Sequence, residues 1–463
     1  MINASKNHDS AERTVRKGDT ILKENRTKQN CLALGVGAVV MASSLLWAAP
    51  LIASDYSASG ELNTIFRMRP TIYEKNFYPV YEYLRLNMTN NLADGAGVSF
   101  FLGAWGRADL GDKSTSSSTD GDLQYAYLTY RAPKNNTTVT IGRQFISEGV
   151  AAERVDGLYL RSDFLYGFSA SSFVGNAVVA EALPEPEYRG GTLIYGARLS
   201  QSNKKYYTVG LSALKGNRDG DSSYREEEGI DLWLRPFEQI DLTGRSTYNS
   251  ITKGWMENSY ALTYSPLTTL RFGADYANIN FKDYLYNVTT SALSILNPIW
   301  KDNETQTAIG ASVAYTGIKN LTVAGSYKFY SYDKSGDASY FGGKASYSFP
   351  DALVVGGGLY RMDGATDKLR YYEYRAFASK KIGPADLTID AMNVNYDKSL
   401  NGVSNSYTIT GTAGYEFNRK FKAGATVEYS KTPDFDREVQ ALVKATYTFD
   451  TQFTAAKGTT SEK

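Results

Sequence analysis

The sequence predicts an all-β protein: a closed antiparallel transmembrane β-barrel of 18–22 strands, best counted as 22. Three observations predict it. Apolar residues recur at every second position over stretches of about ten residues along most of the chain, and helical periodicity is nowhere sustained. Short turns alternate with longer polar connections from one end to the other. The composition includes 36 Tyr, and tyrosine, an apolar ring with a polar tip, favours the membrane–water boundary.

The first element reads as a targeting segment. A Lys/Arg-rich stretch precedes "CLALGVGAVVMASSLLWAAPLIA" (Cys31–Ala53), which is apolar and small, and polar "SDYSASGE" follows. That is the layout of a secretory signal, residues 1–53, with cleavage after Ala53. Pro50 and the Ala/Gly/Ser content weigh against a retained membrane anchor. The chain's single His and single Cys, His8 and Cys31, both lie in this segment. A chain without them cannot build a disulfide, a thiolate nucleophile, a His-ligated zinc, a haem attachment or a Ser–His dyad. No enzyme, metal or cofactor is therefore expected. A net charge of +1 provides no basic field, so nucleic acid is not an expected partner.

The barrel is expected over 54–449, with a polar tail at 450–463. "YSASGELNTIFRM" puts Tyr56, Ala58, Leu62, Phe66 and Met68 on one face and Glu61, Asn63, Arg67 and Arg69 on the other. "LTVAGSYKF", "YTITGTAGYEF" and "FKAGATVEY" repeat the pattern, and "REVQALVKATYTF" (Arg437–Phe449) closes it. Apolar-out and polar-in is what lipid outside and water inside demand. Short turns fall at 92–95, 133–136, 163–165, 202–204, 237–239, 266–268, 318–320, 350–351, 383–384 and 418–419. Longer connections are expected at 70–79, 109–121, 147–154, 177–189, 216–225, 251–256, 283–302, 333–336, 364–368, 398–404 and 432–436. Eleven outer loops and ten inner turns imply 22 strands, with short periplasmic turns, longer extracellular loops and both termini in the periplasm. Merging weak strands near 155–162 or 240–250 would give 20.

Two stretches resemble Gram-negative outer-membrane proteins. "REVQALVKATYTF" resembles their terminal sorting strand, which implies that Tyr447 and Phe449 act as an assembly signal for the barrel-assembly machinery; the polar tail departs from that pattern. "LQYAYLTYRAPKNNTTVTIGRQF" (Leu123–Phe145) resembles the paired strands of porin-like proteins, whose next loop folds inward and narrows the pore. Here that segment is Phe145–Gly157, shorter than the family's constriction loop. "YEYLRLNMTN" through "DGLYLRSDF" looks like barrels encoded with multihaem cytochromes.

Candidate pore residues follow. Arg67, Arg69, Arg85 and Arg107 have lumen parity on three neighbouring strands and would stack as a basic stripe favouring anions. The plainer alternative is a set of solvated wall charges paired with Glu61, Glu82 and Asp109. Arg143 shares the parity of Val139 and Ile141, which should face lipid. Either Gly142 marks a bulge that turns it inward, or it snorkels beyond the apolar band; the porin-like resemblance implies a pore-lining arginine. Glu148, Glu153, Arg154 and Asp156 would tune a constriction. Asp219, Asp221 and Glu226 match no calcium loop with defined ligand positions. Expected partners are outer-membrane lipid and lipopolysaccharide and the assembly machinery. The expected function is passive diffusion of ions and small hydrophilic solutes, with a sheath around multihaem c-type cytochromes as the alternative.

Overall fold

The computed structural model describes residues 56–70, 76–91, 96–113, 117–133, 136–178, 192–218, 221–287, 304–435 and 437–453. The expected signal segment, Asp219 and residues 454–463 of the expected tail lie outside them. Among the described residues, twenty-two strands form one continuous sheet, each antiparallel to its neighbours in sequence. The last strand, Glu438–Phe453, returns to pair with the first, Tyr56–Pro70, in the register Tyr56↔Phe453 through Met68↔Ala441. On its other edge the first strand pairs with Pro79–Asn91. Closure of this kind leaves no sheet edge to carry unpaired N–H and C=O groups into hydrocarbon. A two-residue strand, Asn76–Phe77, folds back on the end of the first strand outside this wall. No helix among the described residues is long and apolar enough to cross a membrane, which has no bearing on a barrel that crosses with strands.

Residues directly opposite each other in a ladder share a face, so the wall's outer face can be followed around the ring. Leu128 sits across from Ile141, and Ile141 across from Leu158; all three are large, apolar and exposed. The same parity carries Leu199 and Leu211, then Tyr276 and Ile309, then Tyr327 and Phe341, and returns through Val443 and Tyr447 to Phe66 and Leu62. Exposed apolar residues on one parity around the whole ring are what a lipid-facing surface requires. The other parity, with Thr129–Thr140 and Thr446–Asn63 hydrogen-bonded side chains at 3.1 and 2.7 Å, lines the lumen.

The two ends of the barrel differ less than the sequence pattern suggests. One end has the ten short connections. At the other, three connections expected to be long loops are cut to two residues between strands: 149–150, 219–220 and 401–402. The flanking strands run on instead, Ala385–Leu400 over 16 residues and Val403–Glu416 over 14. About ten residues suffice to cross the bilayer, so the excess around 401–402 stands beyond it as a hydrogen-bonded ribbon whose polar residues read as loop. Asn401 and Gly402 both have positive φ, the combination a tight hairpin turn with matching twist needs. The last strand likewise continues to Phe453, four residues into the stretch expected as tail. The regions near 155–162 and 240–250 are separate strands.

Parity makes a direct prediction about stability. Leu211→Arg on the outer face, mid-strand, should destabilise the folded barrel by about 2–4 kcal/mol in a lipid bilayer. Ser326→Arg, on the lumen face, should be near neutral in the same urea titration.

Candidate functional site

The fifth and sixth strands, Thr137–Glu148 and Ala151–Asp163, form a hairpin that belongs to the wall for only half its length. On one side Thr138–Arg143 pairs with Arg131–Ala126, and the ladder stops there. On the other, Val155–Asp163 pairs with Ala177–Ser169, followed by one last backbone bond from the Val178 N–H to the Arg154 carbonyl at 2.8 Å. Beyond those limits the hairpin keeps only its own ladder, from Gln144↔Val155 to Glu148↔Ala151. The departure point is Gly142, with φ of +123°. A Cβ there would fall on the carbonyl oxygen of Ala126, so backbone conformation and close approach both select glycine.

The freed half lies inside the barrel. At its tip the Val150 N–H donates to Ser212 Oγ at 3.0 Å, and the Val150 side chain meets the bare Cα of Gly229. Ser212 and Gly229 are opposite each other on the lumen face of Tyr207–Arg218 and Asp221–Leu234. Alternate hairpin residues Ile146, Ala151 and Val155 pack with Phe173, Ala177, Ile194 and Leu214, which project inward from the seventh, eighth and ninth strands. Val155 and Ile194 have no exposed surface. An apolar core inside a polar lumen is explained only by a second layer of sheet on the first. Each large side chain buried there contributes about 1.5–3 kcal/mol.

Charges complete the seat. Arg225, on the tenth strand, reaches Glu153 on the hairpin at 2.6 Å and Glu227 on its own strand at 2.5 Å. All three side chains are buried. Glu148 accepts from Tyr159 Oη at 2.6 Å and from Arg161 at 3.4 Å and lies 3.6 Å from Arg198, which grips Asp231 at 2.6 Å. At the root, Arg143 forms a two-pronged pair with Asp156 at 2.8 and 2.9 Å and also reaches Asp122 and the carbonyl of Leu123. Arg154 meets the other oxygen of Asp122 at 2.7 Å. These two arginines bridge the gap where the hairpin and the fourth strand, Thr119–Arg131, part company.

The residues chosen from sequence thus divide. Arg143, Glu148, Glu153, Arg154 and Asp156 come together on the hairpin. The four arginines of the expected stripe do not. Arg107 is buried, 3.7 Å from both Asp109 and Asp120. Arg67 and Arg69 are exposed near the same end of the barrel. Arg85 stands opposite Glu61, and four residues along its strand separate it from Tyr81, the residue opposite Arg107. Glu82, expected among the wall charges of the lumen, has the outer parity, where it accepts from Thr64 at 2.8 Å. Arg225, Glu227, Arg198, Asp231 and Asp122 were not singled out. Their only sequence signal was charge at lumen parity, and "REEE" in particular reads as a solvated acidic loop. Glu226, the one described side chain of the considered calcium set, pairs with Lys215 at 3.4 Å. Tyr447 faces outward, and the Phe449 ring lies over Gly60 at the closing seam.

Solved structures share this architecture. A mutant of the ferric enterobactin receptor PfeA of Pseudomonas aeruginosa aligns over 85% of this chain and 80% of its own, with a TM-score of 0.52 at 11% identity. OccAB2 of Acinetobacter baumannii aligns over 85% and 98%, with a TM-score of 0.45 at 11% identity. The chain shares the closed β-barrel fold of that receptor. At these identities the likeness is one of fold. No family model matches the chain, and no curated protein matches its sequence.

The seat of the hairpin is testable apart from function. Arg225→Ala removes the positive charge that Arg225 sets against buried Glu153 and Glu227, which should cost about 3–5 kcal/mol. Limited proteolysis should then cut within 145–154, where the wild-type barrel resists.

Proposed function

We propose that the protein is a passive diffusion channel for ions and small hydrophilic solutes, in which the hairpin segment 144–154 narrows the lumen. One observation carries the reading. The segment is held against the inner wall by its own apolar core and a buried ion triad, so it partly fills a lumen wider than side chains alone can close. In this reading the short-turn end and both termini face the periplasm. The outer band meets membrane lipid and lipopolysaccharide, and Tyr447 and Phe449 address the assembly machinery. Most charges at the hairpin are paired with opposite ones, so ionic selectivity is weak, and exposed Arg67 and Arg85 bias it toward anions.

The alternative, a sheath around multihaem c-type cytochromes, needs room for a protein guest, and a hairpin seated in the lumen works against it. Haem co-purifying with the barrel would reverse that preference.

Purified protein in planar bilayers should conduct, and absence of current would end the channel reading. Replacing residues 145–154 by a two-residue turn should raise single-channel conductance. Arg85→Glu should move the reversal potential toward cation preference. Arg107→Glu should move it less, because Arg107 is buried between Asp109 and Asp120.

A further inference from the structure

Beside the root of the hairpin the inner wall is aromatic where a water-filled lumen calls for polar side chains. Tyr81 and Tyr83, Phe101 and Trp105, and Tyr125 and Tyr127 come from three consecutive strands, Pro79–Asn91, Gly97–Asp109 and Thr119–Arg131, and all have lumen parity. Tyr83 is opposite Trp105, and Phe101 is opposite Tyr127. Their rings form two neighbouring groups on this face: Tyr81–Tyr83 at 6.0 Å and Tyr81–Trp105 at 6.3 Å, and Phe101–Tyr127 at 5.0 Å and Tyr125–Tyr127 at 5.9 Å between centroids. Gly103 is bare beneath the Tyr125 ring, which lies flat on the wall in the space a side chain would take. All six are half-buried, so part of each ring remains exposed to the lumen. None belongs to the apolar core under the hairpin.

Leaving this surface in water is unfavourable by about 25 cal/mol per Å² of apolar area, and a wall serving ions alone gains nothing from it. Charged groups border the rings on the same face. Asp122 is opposite Trp105, and the facing pair Glu61 and Arg85 lies two residues along from Tyr83. From Trp105 to Phe101 the surface runs roughly 13 Å along the strand.

We propose that this wall binds the pyranose rings of an oligosaccharide passing through the channel. The inference rests on the channel reading and adds a solute class to it. A sugar ring presents a face of C–H groups and an edge of hydroxyls. The half-exposed aromatic faces take the first, and the exposed Glu61–Arg85 pair supplies an acceptor and donors for the second. A purely aromatic solute would stack equally well but would leave the bordering charges unused. The length of the surface exceeds one ring, which points to an oligomer.

Calorimetric titration of maltotriose into the detergent-solubilised barrel, paired with current recordings in the same sugar, tests this. Saturable heat is expected, together with block of the single-channel current. Tyr83→Ala and Trp105→Ala should each weaken binding roughly five- to tenfold, while Tyr83→Phe and the lipid-facing Tyr429→Ala should bind as wild type. Gel mobility before and after heating confirms that each variant is folded. Titration does not depend on conduction, so the two readings fail separately. Heat without current removes the channel and keeps the binding wall; current with neither heat nor block removes the wall. Binding of indole without binding of maltotriose, or undiminished binding by folded Tyr83→Ala and Trp105→Ala, would also overturn the proposal.

Discussion

Every other feature of this protein depends on the ladder between the first and last strands. Tyr56–Met68 pairs with Phe453–Ala441, and this join converts an open sheet into a ring. In a bilayer a free edge would hold a row of peptide groups without partners, each costing several kcal/mol. Once the ring is closed, the outer face is free to be apolar and the inner face is free to be anything water tolerates. The side-chain rhythm of two is therefore a consequence of closure and not an independent property of each strand.

The hairpin is a local departure from that rule. By leaving the wall at Gly142 it gives up ladder bonds to the fourth and seventh strands, and what it gains must exceed them. Three kinds of interaction act together. The apolar layer around Val155, Ile194 and Leu214 excludes water, the triad around Arg225 fixes the tip, and Arg143 and Arg154 rejoin the root to Asp122. The buried triad adds little net stability, because desolvating three charges is costly. Its role is better described as choosing one seat for the hairpin among many apolar ones.

Much of the architecture was legible in the chain. Val439, Val443 and Tyr447 alternating with Gln440, Lys444 and Thr448 already specify a strand with lipid on one side, and the same spacing recurs often enough to count 22 strands. Connections were less legible. The stretch around 401–402 is polar, and polarity alone does not separate a loop from a strand that has risen out of the membrane. Gly142–Arg143 marked a break in parity, and that break was a real signal. Arg225 gave no such sign, since its meaning lies in Glu153, a residue far away in sequence and on another strand. The lumenal rings were hidden for a related reason: "YEY" and "YAYLTY" look like girdle tyrosines until register shows which side they occupy.

The join of Tyr56 to Phe453 also bears on biogenesis. Partners so far apart along the chain can meet only after every strand between them has been made, and contacts of such long range form slowly. Until then both terminal strands present adhesive margins, open to pairing with other chains. Joining the two ends is therefore the step that removes both margins at once.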